Sequence, residues 1–213
     1  MTDADVASGP VFAPRADDAR PAARAPEAAA ERPEPRRLTA SEFRAKIAEG
    51  EIDGAAPAEL IEGRVARRPI ATPVHERVRL RLANLISDRI ADGLIVADET
   101  KLILGQDTVL APDLFVFSRK TVSPLVRGPD AALVVEITAE PAETALLARA
   151  PIYAAHGVRE LQVFDLGTGE VHLFDDPEEG RYRRSETLGP GAPVASSTCP
   201  GLKVSLAEIL RSI

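Results

Sequence analysis

The fold is decided by the stretch Ala132-Leu133-Val134-Val135-Glu136-Ile137, an apolar run that a single carboxylate interrupts. A short apolar run of this kind is typical of a strand that is buried on both faces in the middle of a sheet. An ionised side chain inside such a strand costs several kcal/mol unless a cation or a hydrogen-bonded partner compensates it. The sequence therefore predicts that a partner for Glu136 lies beside this strand.

The carboxylate best placed to join Glu136 is Asp113. It follows Pro112 and precedes a short β run at residues 114–117, so we expect it at the end of a neighbouring strand. Two carboxylates on neighbouring strands form a hard-oxygen site that suits Mg²⁺ or Mn²⁺, which can activate water and shield the charge of a phosphate. The other interpretation is that Asp113 caps a turn and Glu136 pairs with an arginine.

Two helices and a hairpin are predicted before this pair. Thr39 and Glu42 have the spacing of a capping box, which predicts a helix over residues 40–48. A hairpin turn is predicted at residues 62–63. Apolar residues then recur at intervals of three and four over residues 74–90, which predicts an amphipathic helix.

Short strands dominate the remainder of the chain. They are predicted at residues 94–96, 101–104, 109–111, 114–117, 132–137, 161–165, 170–174 and 182–187. A further helix is predicted over residues 142–155, and a short strand and helix are predicted at residues 204–210. Together these elements predict one folded domain over residues 38–213.

The first 37 residues have a different composition. Ala, Pro, Arg, Asp and Glu dominate this segment, and its six prolines leave no room for a helix of useful length. We therefore expect a disordered tail over residues 1–37. Such a tail can dock a protein partner and fold on binding, but a solvated extension explains the same composition, and we assign it no function.

Composition excludes several classes of protein. Cys199 is the only cysteine, which rules out an internal disulfide and a cysteine-cluster zinc site. The aromatic content of 4% disfavours a surface that binds single-stranded nucleic acid by stacking aromatic rings. The formal net charge of -7 disfavours a protein that coats nucleic acid non-specifically. No apolar stretch approaches the length of a spanning helix, and the acidic N-terminus does not fit a targeting signal. We expect a cytoplasmic protein without a membrane partner.

The series of motifs is similar to one nuclease family. Pro112-Asp113 followed by Val134-Val135-Glu136-Ile137-Thr138 resembles the PD-(D/E)XK nuclease superfamily, and specifically its Uma-type putative restriction endonuclease family. Other segments match the same family in order: Leu38-Thr39 with Phe43, Glu59 to Gly63, Pro73 with His75, Tyr153 to Glu160, and Val163-Phe164-Asp165. The resemblance spans residues 38–210, nearly all of the predicted domain.

The resemblance implies a restriction-endonuclease-like fold of α/β (α+β) class, in which helices flank a mixed β-sheet core. It also implies an endonuclease that hydrolyses phosphodiester bonds of DNA with a divalent metal, Mg²⁺ or Mn²⁺. Asp113, Glu136 and the backbone carbonyl of Ile137 would hold the metal, with help from Glu59. His75 would face the same cleft, where it would steer a water molecule or contact a phosphate.

One position departs from the superfamily pattern, in a way that is common in the Uma-type family, and two positions depart from the family pattern. The superfamily carries a lysine two residues after the glutamate, where this chain has Thr138. The family carries an Asp and a Lys on the following helix, where this chain has Ala145 and Arg149. Arg149 can supply positive charge to a phosphate, but with a pKa above about 12 it cannot accept a proton. These departures leave open a catalytically degenerate nuclease fold that binds a protein or a nucleic acid as a regulatory module.

Charge distribution separates the two readings. A nuclease needs its arginines to converge on the carboxylates, whereas arginines spread over the outer helix face favour the module. The arginines concerned are Arg64, Arg67, Arg68, Arg77, Arg79, Arg81 and Arg149. Lys101 is the one lysine expected to approach the site. A homodimeric scaffold, suggested by apolar strands near the C-terminus, is a third reading that the sequence does not separate from the others.

Overall fold

Sheet and helix are mixed throughout the computed structural model, which describes residues 36–52, 58–98, 100–123, 125–138 and 147–211. Within these ranges the chain forms four α-helices and twelve strands arranged in three sheets. The predicted tail over residues 1–37 lies almost wholly outside the described residues.

The helices are α1 (Ala40–Ala48), α2 (Pro73–Arg89), α3 (Ala150–Ala155) and α4 (Leu206–Leu210). The strands are β1 (Ala58–Ile61), β2 (Arg64–Arg67), β3 (Leu94–Asp98), β4 (Leu102–Ile103), β5 (Val109–Leu110), β6 (Leu114–Ser118), β7 (Ala131–Thr138), β8 (Glu160–Asp165), β9 (Val171–Glu178), β10 (Arg181–Leu188), β11 (Pro193–Ala195) and β12 (Lys203–Ser205). Short 3₁₀ turns occupy Gly128–Asp130 and Leu147–Arg149.

The largest sheet places β7 in its interior. Its strand order is β10-β9-β8-β7-β6-β3, and neighbouring strands are antiparallel except for the parallel pair of β7 and β8. A parallel pair needs a crossover connection, and α3 lies in that connection. Every residue of β7 before Thr138 is buried. The prediction of a strand covered on both faces is therefore confirmed.

A four-stranded antiparallel sheet, in the order β2-β1-β5-β4, carries the first hairpin. Glu62 and Gly63 form its turn with φ angles of 49° and 77°. Glycine adopts this left-handed conformation without a steric penalty. The first helix, α1, packs on this sheet through Phe43, which is fully buried beside Leu60 and Val109.

Different helices cover the two faces of the six-stranded sheet. On one face α2 packs side chains such as Leu82 against Val135 of β7. On the other face Tyr153 of α3 packs with Val134. Because successive side chains of a strand point to opposite faces, Glu136 lies on the α3 face with Val134.

Most of the predicted elements are confirmed to within a few residues. Thr39 and Glu42 form the predicted capping box. The long helix begins one residue early, at Pro73, because the Thr72 side chain caps it. Of the helix predicted over residues 142–155, the structure has Ala150–Ala155 and a preceding 3₁₀ turn, and residues 139–146 lie outside the described ranges. Among the described helices, none combines the length and the apolar character needed to cross a bilayer.

Candidate active site

Asp113 and Glu136 lie opposite each other at the ends of two neighbouring strands. Asp113 immediately precedes β6, which pairs with β7 so that Leu114 faces Val135. One further step along this antiparallel register brings Asp113 opposite Glu136. The backbone N–H of Ile137 donates a 2.7 Å hydrogen bond to Asp113 Oδ2 and holds the aspartate against β7. The sheet register therefore brings the two carboxylates together.

Arg68 bridges the two carboxylates. Its Nη2 lies 3.2 Å from Asp113 Oδ1 and 3.2 Å from Glu136 Oε2. Its Nη1 donates to the carbonyl of Ala111. Arg68 follows β2, the edge strand of the four-stranded sheet, so the smaller sheet delivers this cation to the larger one. The pairing of Glu136 with an arginine, the second interpretation of the sequence, is thus also present.

A second arginine approaches Glu136 from the α3 side. Arg149 Nη1 donates to Glu136 Oε1 and to Glu59 Oε1 at 3.2 Å each, and its Nη2 donates to Glu59 Oε2 at 2.6 Å. Glu59 Oε1 also accepts the backbone N–H of Ala111 at 2.9 Å. The hydroxyl of Tyr153 donates to Glu136 Oε1 at 2.6 Å. Arg149 and Tyr153 are one helical turn apart, so both side chains reach the same carboxylate.

His75 approaches the carboxylate pair from the third position of α2. The Thr72 hydroxyl accepts its backbone N–H at 3.3 Å. The imidazole Nε2 lies 3.2 Å from the carbonyl oxygen of Ile137 and 3.4 Å from Asp113 Oδ2. A carbonyl oxygen can only accept, so Nε2 carries the proton in this contact. His75 therefore lies beside Asp113 and Ile137, next to the carboxylate pair.

Burial and nearby charges set the protonation of these groups. Glu59 and Glu136 are each 1% exposed, and Asp113 is 6% exposed. Burial opposes ionisation of Asp113, but the hydrogen bond with His75 and the charge of Arg68 outweigh it, so the pKa of Asp113 lies below its usual range. Burial raises the pKa of Glu136, and the charge of Arg68 acts in the opposite direction. The contact with Asp113 raises the pKa of His75 above its ordinary value.

The donor set suits a hard divalent cation. Asp113, Glu136 and the carbonyl of Ile137 offer oxygen atoms, the ligand type that Mg²⁺ and Mn²⁺ prefer. The Nη2 of Arg68 stands between the two carboxylates, which shows that a positive group is accommodated there. Within the described ranges, no three His, Cys, Asp or Glu side chains group as a metal site. The set therefore consists of two carboxylates and a carbonyl, and Mg²⁺ commonly fills its other positions with water and substrate oxygens.

The structure brings the sequence-predicted site residues together. They are Glu59, His75, Asp113, Glu136, Ile137 and Arg149. Sequence reasoning assigned no role to Tyr153 and did not distinguish Arg68 from the other arginines. The signal for Tyr153 is its position one turn after Arg149 on the same helix face. No local signal marks Arg68, because its contacts depend on how the two sheets pack.

The seven arginines named from the sequence do not all converge. Arg68 and Arg149 reach the carboxylates. Arg79 instead pairs with acidic side chains of α2 and β3, and Arg77 is exposed on α2. Lys101 donates to the first carbonyl of β1 at 3.1 Å. Of the charged groups in the described ranges, two guanidinium groups thus supply the permanent positive charge at the carboxylate pair.

Comparisons with known proteins concern the family and the fold of the chain. A family model described as "Uma2: Putative restriction endonuclease" matches residues 41–207. The fold resembles the crystal structure of a putative nuclease belonging to DUF820 from Anabaena variabilis, with a TM-score of 0.67 and 17% sequence identity. The match covers 82% of this chain and 98% of that chain. At this level of identity the likeness shows the fold alone. No curated protein matches the chain.

Proposed function

This chain belongs to the Uma2 family of putative restriction endonucleases, and on that premise we propose that it is a metal-dependent endonuclease that hydrolyses phosphodiester bonds of DNA. The observation that carries the proposal is the pair of buried carboxylates, Asp113 and Glu136, that β6 and β7 hold opposite each other. Two buried charges of the same sign repel each other, and such costly arrangements cluster at functional sites.

Asp113, Glu136 and the carbonyl of Ile137 would hold the metal. When bound, a divalent cation lowers the pKa of a coordinated water and offsets the charge that develops on a phosphate. The chain holds two of these oxygen ligands in place by hydrogen bonds. The N–H of Ile137 fixes Asp113, and Nε2 of His75 fixes the carbonyl of Ile137. Such outer contacts orient metal ligands and commonly contribute about 10- to 100-fold to affinity or activity.

Arg149 provides positive charge for the phosphate in this proposal. Two hydrogen bonds to Glu59 anchor its guanidinium, and its side chain is 15% exposed, at the rim of the site. A guanidinium binds phosphate oxygens in a two-pronged geometry. Although burial disfavours its charged form, Glu136 and Glu59 raise the already high pKa of Arg149. Arg149 therefore stabilises charge and does not accept a proton.

We assign His75 the task of steering the attacking water. Among the described residues at the site, it is the group whose ordinary pKa lies nearest neutrality. Its Nε2 stands 3.4 Å from Asp113 Oδ2, beside the proposed metal ligands. Thr138 occupies the position where the superfamily carries a lysine, and its hydroxyl does not replace that lysine's charge. His75 supports the reaction in the lysine's absence by orienting water against the phosphate.

One observation favours a second function, that of a catalytically degenerate nuclease fold that binds a protein or a nucleic acid. Arg68 and Arg149 both pair with Glu136, so the buried carboxylate is compensated without any metal. Buried carboxylates that are paired in this way need no metal to offset their charge, as expected of a fold that is retained for binding. The two functions therefore differ in whether a metal enters the cluster.

Calorimetry with Mg²⁺ and Mn²⁺, run beside a plasmid-nicking assay, distinguishes the two functions. We expect the wild-type chain to bind metal and nick DNA, and Glu136→Gln to lose metal binding and at least about a hundredfold of its nicking, because even the partners of metal ligands contribute up to that much. Glu186→Gln, exposed on β10, is the matched control and should behave as wild type. A wild-type chain that neither binds metal nor nicks DNA would exclude the endonuclease and favour the binding module.

A further inference from the structure

The guanidinium of Arg68 occupies the space between the two proposed metal ligands. Its Nη2 is equidistant, at 3.2 Å, from Asp113 Oδ1 and Glu136 Oε2. These are one oxygen from each carboxylate of the proposed metal site. Asp113 uses its other oxygen, Oδ2, to accept the N–H of Ile137. A metal that binds both carboxylates therefore competes directly with Arg68.

Arg149 does not face the same competition. It is anchored by both oxygens of Glu59, which lies on β1 outside the opposed pair, and it reaches Glu136 through Nη1 alone. A cation between Asp113 and Glu136 would leave the contacts of Arg149 with Glu59 in place. Arg68, by contrast, would lose both of its carboxylate partners.

The position of Arg68 in the chain allows its side chain to turn outward. It follows β2 and lies in an irregular segment that ends where α2 begins. The next three residues, at positions 69–71, are exposed. The side chain of Arg68 is itself 14% exposed, so one end of the cluster reaches solvent at this point. A rotation about its side-chain bonds would release the Ala111 carbonyl and carry the guanidinium toward solvent.

The charges of the cluster agree with such a movement. Asp113 and Glu136 share the guanidinium of Arg68, whereas the second guanidinium, that of Arg149, is anchored on Glu59. Replacement of the Arg68 guanidinium by a divalent cation would add positive charge between the two carboxylates. A phosphodiester carries negative charge and would offset part of that addition.

We propose that Arg68 is a displaceable cation that holds the two carboxylates together in the metal-free protein and contacts a DNA phosphate once a divalent metal has replaced it. This inference rests on the proposed metal-dependent function and assigns to that site a residue that couples metal loading to DNA binding. Arginine suits both positions, because its planar fork pairs with carboxylate and with phosphate.

The test measures metal binding and DNA binding separately. Calorimetry with Mn²⁺ on the full chain should show that Arg68→Gln binds the metal about tenfold more tightly than wild type, because a charged hydrogen-bonded competitor worth about 1.4 kcal/mol or more is removed. DNA binding is measured with a labelled duplex and with Ca²⁺ in place of Mn²⁺, so that the duplex is not cut during the measurement. The affinity for the duplex should fall by about tenfold in the same variant. Arg119→Gln is the matched control, since Arg119 follows β6 at the end opposite Asp113.

Each result of this test decides the inference. Equal Mn²⁺ affinity in wild type and Arg68→Gln, or weaker affinity in the variant, overturns the proposal that Arg68 is a displaceable cation. It does not contradict the proposed endonuclease function. Absence of Mn²⁺ binding in both proteins overturns the inference together with the metal-dependent function. If Arg68→Gln does not fold, Arg68→Lys decides, because a single ammonium group bridges the carboxylates less well and Mn²⁺ affinity should still rise.

Discussion

The hydroxyl of Tyr153 donates a 2.6 Å hydrogen bond to Oε1 of Glu136, which ties the helix of the β7–β8 crossover to the carboxylate at the centre of the site. Both side chains are almost completely buried. Burial and the negative charge of Glu136 raise the pKa of Tyr153 well above its ordinary value, so the phenol stays protonated and remains a donor. Tyr153 thus engages one oxygen of the carboxylate, Oε1, while the other, Oε2, contacts Arg68.

Replacing Tyr153 by Phe should lower the free energy of unfolding by about 1–3 kcal/mol, because Glu136 loses a buried hydrogen-bond donor. It should also weaken Mn²⁺ binding, since the carboxylate is no longer held in one orientation. Urea unfolding and calorimetry measure the two effects. Tyr182→Phe is the matched control, because that phenol donates to the backbone carbonyl of Val158 at 3.0 Å. An equal loss of metal affinity in both variants would contradict the role of Tyr153.

Arg149→Lys should reduce nicking by about tenfold or more while retaining a positive charge, because an ammonium group cannot reproduce the guanidinium fork. The arginine contacts both oxygens of Glu59 and one oxygen of Glu136. Plasmid-nicking rates give the measurement. Arg184→Lys, in an exposed pair with Asp175 on the β9–β10 hairpin, controls for the general effect of the exchange. Nicking at the wild-type rate in Arg149→Lys would show that the fork is not required.

Glu160→Gln should destabilise the fold by about 2–3 kcal/mol or more and leave the specific nicking activity unchanged, because a charged acceptor of several hydrogen bonds is lost. This buried carboxylate accepts bonds from the side chains of Gln162, Ser196, Ser197 and Thr198 and from the Thr198 backbone. Thr198 also bonds the carbonyl of Ala132, about 13 Å along β7 from Glu136 at the usual rise per strand residue. Chemical denaturation and limited proteolysis near residue 198 provide the test. Unchanged stability would mean that the hydrogen bonds of Glu160 do not hold the segment around Thr198 in place.

Cys199 should react slowly with a thiol reagent in the native protein and rapidly after unfolding. Its side chain is buried, and burial raises the pKa of the thiol, which leaves little of the reactive thiolate at neutral pH. Absorbance after addition of Ellman's reagent, with and without guanidinium chloride, measures both rates. Fast modification of the folded protein would indicate that the segment around Cys199 opens readily.

Stability should fall in acid partly through Glu42. The backbone N–H of Thr39 and the charge-assisted bond from Arg36 lower the pKa of Glu42 from 4.5 to about 2. A carboxyl whose pKa is lowered by folding stabilises the fold at pH values above its pKa in the unfolded chain. That contribution disappears as the pH falls from 4.5 toward 2. Glu42→Ala should therefore melt at a lower temperature than wild type at neutral pH, with a difference that shrinks over this range. Thermal melts followed by circular dichroism test this prediction. A difference in melting temperature that is independent of pH would contradict it.

Local pattern was sufficient for the elements that carry the site. The continuous apolar run around Glu136 predicted a strand covered on both faces, with that carboxylate among apolar neighbours. Asp113 was identifiable because a carboxylate directly before a strand lies at the end of that strand. The helix predicted over residues 142–155 is compared only from residue 147 onward, where Arg149 ends a 3₁₀ turn and α3 begins at Ala150.

The partners of these carboxylates could not be predicted in the same way. Arg68 is separated from Asp113 by 45 positions and from Glu136 by 68. Its sequence neighbours Arg64 and Arg67 have the same charge and similar flanking residues. Nothing local distinguishes the arginine that turns into the cluster from those on the preceding strand.

The sequence by itself determined where most of the strands and helices lie and that Glu136 is buried, because periodicity and capping act over a few residues. The tertiary structure decided which cations meet those carboxylates. Sheet register sets Asp113 opposite Glu136, and the packing of the smaller sheet brings Arg68 between them. Such contacts depend on the relative position of elements that are distant in the chain, and a local pattern of side chains contains no information about that position.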